Sequence, residues 1–106
     1  MTELYIGHFE LNTQKQELTF RTSDDTIVRR KLSFREASIL GLLIEAHGEI
    51  VENQILLQEF WDGDSIYHLN SLYVFMSRMK HILAADPSLS IINARGIGYR
   101  LVQGKE

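Results

Sequence analysis

The chain has 106 residues, a net charge of −3, one proline and no cysteine. One domain is expected at this length, large enough to bury a core without staples. The missing cysteines exclude a disulfide framework, a thiolate zinc site and a thiol nucleophile. No apolar run approaches the ~20 residues of a membrane span, and the Met1-Thr2-Glu3-Leu4 start lacks the pattern of a signal peptide, so a cytoplasmic location is expected.

Residues 4–31 read as short strands. Leu4-Tyr5-Ile6 and Phe9-Glu10-Leu11 flank Gly7, Leu18-Thr19-Phe20 alternates with polar neighbours, and Thr26-Ile27-Val28 is β-branched. Asn12–Lys15 and Thr22–Asp25 are turn-rich, so an antiparallel sheet of three or four strands is expected.

The period then changes. Ser33-Phe34-Arg35-Glu36 is a capping box, in which the serine side chain and the glutamate each satisfy a free amide at the helix start. Ala37, Leu40, Leu43 and Ile44 follow at helical spacing, predicting a helix over about 33–46 with Gly48 as its C-cap. A second helix is expected over about 52–61, burying Ile55, Leu56, Phe60 and Trp61, although Glu52 is a poor N-cap. Asp62-Gly63-Asp64-Ser65 breaks the pattern as a loop.

A third helix is predicted over about 67–85, with the apolar stripe Leu69, Leu72, Met76, Met79 and Leu83, and Asp86-Pro87 ends it. Two strands, Ser90–Ala94 and Tyr99–Val102, close the chain around the turn Arg95-Gly96-Ile97-Gly98. Three helices and a terminal hairpin after an antiparallel sheet make an α+β winged helix-turn-helix layout, in which the last helix enters a major groove and the hairpin is the wing.

Charge is distributed unevenly along this layout. Residues 1–64 carry six Lys/Arg and twelve Asp/Glu, or −6; residues 65–105 carry Arg78, Lys80, Arg95, Arg100 and Lys105 against Asp86, or +4; Glu106 completes the total of −3. The C-terminal part is thus suited to an anion. At 100° per residue, the side of helix three opposite its stripe carries Asn70, Ser71, Val74, Ser77, Arg78 and His81. Arginine can fork onto guanine, asparagine can pair with adenine, and an outward valine suits a thymine methyl. Phe75 lies beside this face, where packing on the wing or helix one competes with contact to sugar or a partner protein. Tyr73 and Lys80 lie on the other flank, with Tyr73 expected to be half-buried. Arg95 at the hairpin tip can reach a minor groove.

The segments Leu32-Ser33-Phe34-Arg35-Glu36, Gly48-Glu49-Ile50-Val51, Trp61, Ser77-Arg78-Met79-Lys80 and Ile92-Asn93-Ala94-Arg95-Gly96-Ile97-Gly98-Tyr99-Arg100-Leu101 resemble the OmpR/PhoB-type winged helix, the effector domain of bacterial two-component response regulators. The likeness spans about residues 4–102, and the Asp86-Pro87 spacing and the ending look most like Bacteroidetes members. The resemblance implies a four-stranded N-terminal sheet and sequence-specific binding to double-stranded promoter DNA, often as tandem copies on direct repeats. It places DNA contacts on Asn70, Ser71, Val74, Phe75, Ser77, Arg78, Lys80 and Arg95. His81 is added from its place on the outward face. The loop from Trp61 to Tyr67, with Asp62, Gly63, Asp64 and Ser65, corresponds to a segment that touches RNA polymerase in some members. The usual partner is an N-terminal receiver domain, which this chain lacks, so it resembles the effector half of a longer regulator.

The chain departs from the family pattern at Asn70 (commonly Arg), Tyr73 (small acidic), Phe75 (often His), Lys80 (Arg) and Ile82 (Lys). Fewer cations on the helix imply a shallower salt dependence and modest affinity, which tandem binding would raise. Two other functions compete. A winged helix that docks a protein is supported by Val74, Phe75 and Tyr73. An enzyme is disfavoured, because His8, His47, His68 and His81 form no metal-ligand spacing, and Asp62 and Asp64 lack the rest of a calcium loop. Neither a cofactor nor a metal is expected.

Overall fold

The computed structural model describes residues 2–63 and 65–104. Four short strands, β1 (Glu3–Ile6), β2 (Phe9–Asn12), β3 (Glu17–Arg21) and β4 (Ile27–Lys31), pair antiparallel in chain order. Their registers align Leu4, Leu11 and Leu18 in one row and Ile6, Phe9 and Phe20 in the next. These rows face the core, while Tyr5, Glu10, Thr19 and Arg29 line up on the opposite face.

Helix α1 (Phe34–Glu45) starts with the expected capping box: Glu36 N–H donates to Ser33 Oγ at 3.1 Å, and Ser33 N–H donates to Glu36 Oε1 at 2.8 Å. Ser33→Ala should therefore cost about 1 kcal/mol of stability, read by urea unfolding. Ala37, Ile39, Leu40, Leu43 and Ile44 are buried. The cap at the other end differs from expectation. Ala46 is the C-cap, and both His47 (φ 50) and Gly48 (φ 88) follow in the left-handed region. His47 makes the first left-handed turn, its N–H bonded to Ile44 O at 3.1 Å, so Gly48 continues a reversal already begun.

Helix α2 (Asn53–Phe60) begins without a side-chain cap from Glu52. It buries Leu56 and Leu57, with Trp61 just after it, whereas Ile55 is 50% exposed. An eight-residue helix has room for one narrow buried side, and Leu57 rather than Ile55 occupies it. Helix α3 (Ile66–Leu83) buries Leu72, Phe75, Met76, Met79 and Leu83. The predicted stripe is rotated: Leu69 is 42% exposed and Phe75 takes its place in the core. On the helix wheel the two flank the stripe on opposite sides, and Trp61 meets the Phe75 side, at 5.7 Å between centroids and 87° between planes. Tyr73, expected to be half-buried, is 60% exposed for the same reason.

The wing consists of β6 (Leu89–Ala94) and β7 (Gly98–Gln103), an antiparallel hairpin. A third strand, β5 (Val51–Glu52), adds to the far side of β7, giving the order β5-β7-β6. Two residues are too few for any alternation to announce β5. Helix α1 touches β1, β2 and β7, so it lies between the two sheets, and α3 packs on β6. Among the described residues no helix is long and apolar enough to cross a membrane.

A charged residue sits within this packing. Asp86 is 2% exposed. Its Oδ2 accepts from His8 N–H at 2.8 Å and lies 3.1 Å from His8 Nδ1; its Oδ1 accepts from Ser88 N–H at 3.0 Å and from Ser88 Oγ at 2.8 Å. The carboxylate thus ties the β1–β2 turn to the junction between α3 and the wing.

Candidate nucleic-acid interface

Helix α3 is anchored at its start by Ser65, whose Oγ accepts from His68 N–H at 3.2 Å, while His68 Nδ1 lies 3.1 Å from Gly63 O. With its core side settled by Leu72, Phe75, Met76, Met79 and Leu83, the helix turns Asn70, Ser71, Val74, Ser77, Arg78, Lys80 and His81 outward, and all seven are exposed. No acidic residue occurs in Ile66–Leu83 or in Leu89–Gln103, so this helix and wing present cations without a competing carboxylate of their own.

Arg78 is nonetheless held. Its Nη2 donates to Glu36 Oε2 at 3.0 Å, with the arginine side chain 66% exposed and the glutamate side chain 14%. The same glutamate caps α1 with its other oxygen. The N-terminus of α1 and the outward face of α3 thus share one carboxylate. Beside it, Arg35 stacks over Trp61 at 4.2 Å and donates from Nη2 to Phe60 O at 2.7 Å. Trp61 in turn meets Phe75. Phe75 is 7% exposed, which corrects its placement among surface contacts: its ring supports Trp61 from within the core.

The wing runs along one flank of α3, where Ser77, Lys80, His81 and Ala84 face Ser90 and Ile91 across a shallow groove. Its tip is a tight turn, with Ile97 N–H on Ala94 O at 2.8 Å, Gly96 at φ 77 and Arg95 exposed. The tip is tied back to the body by Asn53 N–H, which donates to Ile97 O at 2.8 Å. Arg100 is directed elsewhere, donating to Gly48 O at 2.9 Å. Tyr99 is buried, and this burial, with a smaller contribution from Tyr73, pushes its phenol above its ordinary value.

The loop before α3 contains Asp62 and Gly63, both with positive φ (61 and 117), and Ser65, which is occupied as the N-cap. Asp64 lies outside the described residues. The first turn of α3 adds two exposed side chains, Ile66 (69%) and Tyr67 (79%), the last residues of the loop from Trp61 to Tyr67 named above. The second oxygen of Glu36 and the position of Arg35 over Trp61 depend on long-range packing that no local pattern announces.

Comparison with known proteins agrees with this arrangement. The family "Transcriptional regulatory protein, C terminal" matches residues 28–101. The transcriptional regulatory protein RprY of Bacteroides fragilis is 33% identical over 97 residues, covering 92% of this chain and 39% of RprY. The chain therefore spans about two fifths of the length of that curated relative. Among solved structures, the C-terminal domain of the nisin resistance regulator NsrR, a lantibiotic response regulator, aligns with a TM-score of 0.66 at 33% identity, covering 93% of this chain and 95% of that one. The DNA-binding domain of CpxR from Escherichia coli aligns with a TM-score of 0.73 at 23% identity, covering 99% of this chain and all of that one, and shares the fold.

Proposed function

This chain belongs to the family of C-terminal domains of transcriptional regulatory proteins, the OmpR/PhoB type, and we propose that it binds double-stranded promoter DNA in a sequence-dependent way, with α3 in the major groove and the wing on the backbone or minor groove. The observation that carries this reading is the acid-free outward face of α3, bounded on one side by a wing with an exposed arginine at its tip. A helix of ~10–12 Å diameter fits a groove ~12 Å wide, which brings Asn70, Ser71, Val74, Ser77 and Arg78 to base edges and phosphates. Arg78 takes a base or phosphate, Lys80 and His81 take phosphate, and Arg95 follows the wing into the minor groove. Val74, Ser77 and Asn70 set sequence choice, Val74 through a thymine methyl. The chemistry needs no cofactor and no catalytic group.

On this reading the chain is one effector domain, residues 1–106, of a longer cytoplasmic response regulator. A phosphorylatable receiver domain supplies the remainder and pairs two copies on a direct repeat, while the isolated domain is monomeric. Pairing would raise the effective concentration of a second domain whose own cations are few. The loop Asp62–Ser65, extended by the exposed Ile66 and Tyr67, offers RNA polymerase a surface beside the DNA.

The test is binding to a random-sequence duplex by anisotropy across a salt series, followed by selection from a random pool. A steep salt slope and an enriched direct repeat are expected. Absence of binding at low salt would turn the reading toward a winged helix that docks a protein, for which Ile66, Tyr67, Tyr73 and Val74 are the exposed apolar groups and whose affinity would change little with salt. Arg78→Ala should weaken binding to the selected site by about 1–3 kcal/mol if the guanidinium forks onto a base, and should weaken all sequences alike if it meets only phosphate.

A further inference from the structure

Residues Arg29, Arg30 and Lys31 form a basic run in β4, but the strand's alternation sends them to different places. Arg29 lies opposite Thr19, in the row that continues to Glu10 and Tyr5 on the outer face. Lys31 lies opposite Glu17 and donates from Nζ to Lys15 O at 2.8 Å. Arg30 lies opposite the buried Leu18, so it shares the inner face of the sheet, yet it is exposed because β4 is the edge strand and extends past the core. There it borders a groove along α3 with Val74, Ser77, Arg78, His81 and Ile82. Among the described residues Arg30 has no carboxylate within ion-pair distance, unlike Arg21 and Arg78.

We propose that Arg30 is a DNA-backbone contact, on the flank of α3 opposite the wing. The proposal rests on the DNA-binding reading above. Lys80 and Ala84 on one flank meet the wing, Ser77 and His81 lie between and border both grooves, and Arg78 and Ile82 lie toward Glu36 and Arg30 on the other flank. A helix seated in the major groove has one phosphate strand along each flank. The wing attends to one strand, and Arg30 is the cation placed beside the second. Among the described residues it adds an unpaired cation beside Ile82 on a flank where the cation of α3, Arg78, is paired with Glu36, so the interface is basic on both sides of the helix.

Arg30→Gln, Arg30→Lys and Arg29→Gln would be compared with the unmodified chain on a random-sequence duplex across a salt series. Arg30→Gln should make the slope of log K against log salt shallower by about 0.9, the signature of one lost phosphate contact. Arg30→Lys should restore the slope, because a phosphate accepts either cation and a purely structural guanidinium role would not be rescued in this way. Arg29→Gln, on the outer face, should leave the slope unchanged. An unchanged slope for Arg30→Gln, or an equal change for Arg29→Gln, overturns the assignment while leaving the DNA-binding reading intact. An unmodified chain that binds no duplex at low salt overturns both.

Discussion

Replacing Asp86 by alanine should destabilise the fold by about 2–4 kcal/mol, the cost of leaving several buried donors without their acceptor. The amides of His8 and Ser88 and the Ser88 hydroxyl all converge on this carboxylate. Gly7 (φ 56) fits directly against the same carboxylate: a Cβ there would run into Asp86 Oδ2 and lie 3.3 Å from Leu89 Cδ2. The effect should also depend on pH. Burial by itself would raise the Asp86 pKa, but the hydrogen bonds from His8 and Ser88 outweigh it and hold the group below its ordinary value. A carboxylate with a depressed folded pKa contributes stability that is fully present above its unfolded value of about 3.9 and is lost as pH falls through the folded one. Urea unfolding followed through Trp61 should therefore show the largest gap between the unmodified chain and Asp86→Ala above about pH 4, with the gap closing in stronger acid.

Gly98→Ala should cost about 1–3 kcal/mol and concentrate its damage at the base of the wing. Gly98 does not have a positive φ; its Cβ is forbidden by space. A methyl group there would collide with Val51 O and stand 2.8 Å from Glu52 Cα, and both obstacles are backbone. To admit it, β5 must leave β7, which also pulls Asn53 from Ile97 O. Thermal melting should report the lost stability. Faster amide exchange at Asn53 and Tyr99, with α1 amides protected as before, would locate the loss at the wing; uniform acceleration would argue against this account.

The contrast between Gly96 and Gly98 shows what was legible in the sequence. Both stand in the turn Arg95-Gly96-Ile97-Gly98, yet only Gly96 has a positive φ. Local chemistry announced the elements that depend on neighbours in the chain: the Ser33–Glu36 capping box, the strand alternation, the hairpin and the outward set on α3 all stand where periodicity put them. What escaped depends on partners distant in sequence. Leu69 and Phe75 were equally good candidates for the buried side of α3 until Trp61 arrived against one of them. Asp86 looked like a helix terminator before a proline, and its partner His8 lies 78 residues earlier. Arg30 was hidden within a run of three cations whose separate faces emerge only when β4 is placed beside β3. A run of this kind can be read two residues at a time once the strand is known, so the signal was present in the alternation itself.

The carboxylate shared by Ser33 and Arg78 bears on the role proposed for Arg78 in a further way. A free surface arginine samples many rotamers, and immobilising such a side chain on binding costs about 0.5–1.5 kcal/mol. Here a single Nη2–Oε2 bond already restrains the guanidinium, and most of its five donors remain free for a second acceptor. Glu36 is itself fixed by the capping box of α1, so part of the ordering belongs to the fold. On the reading proposed above, Arg78 would thus meet DNA from a position that Glu36 already favours, at a smaller ordering cost than a free surface arginine.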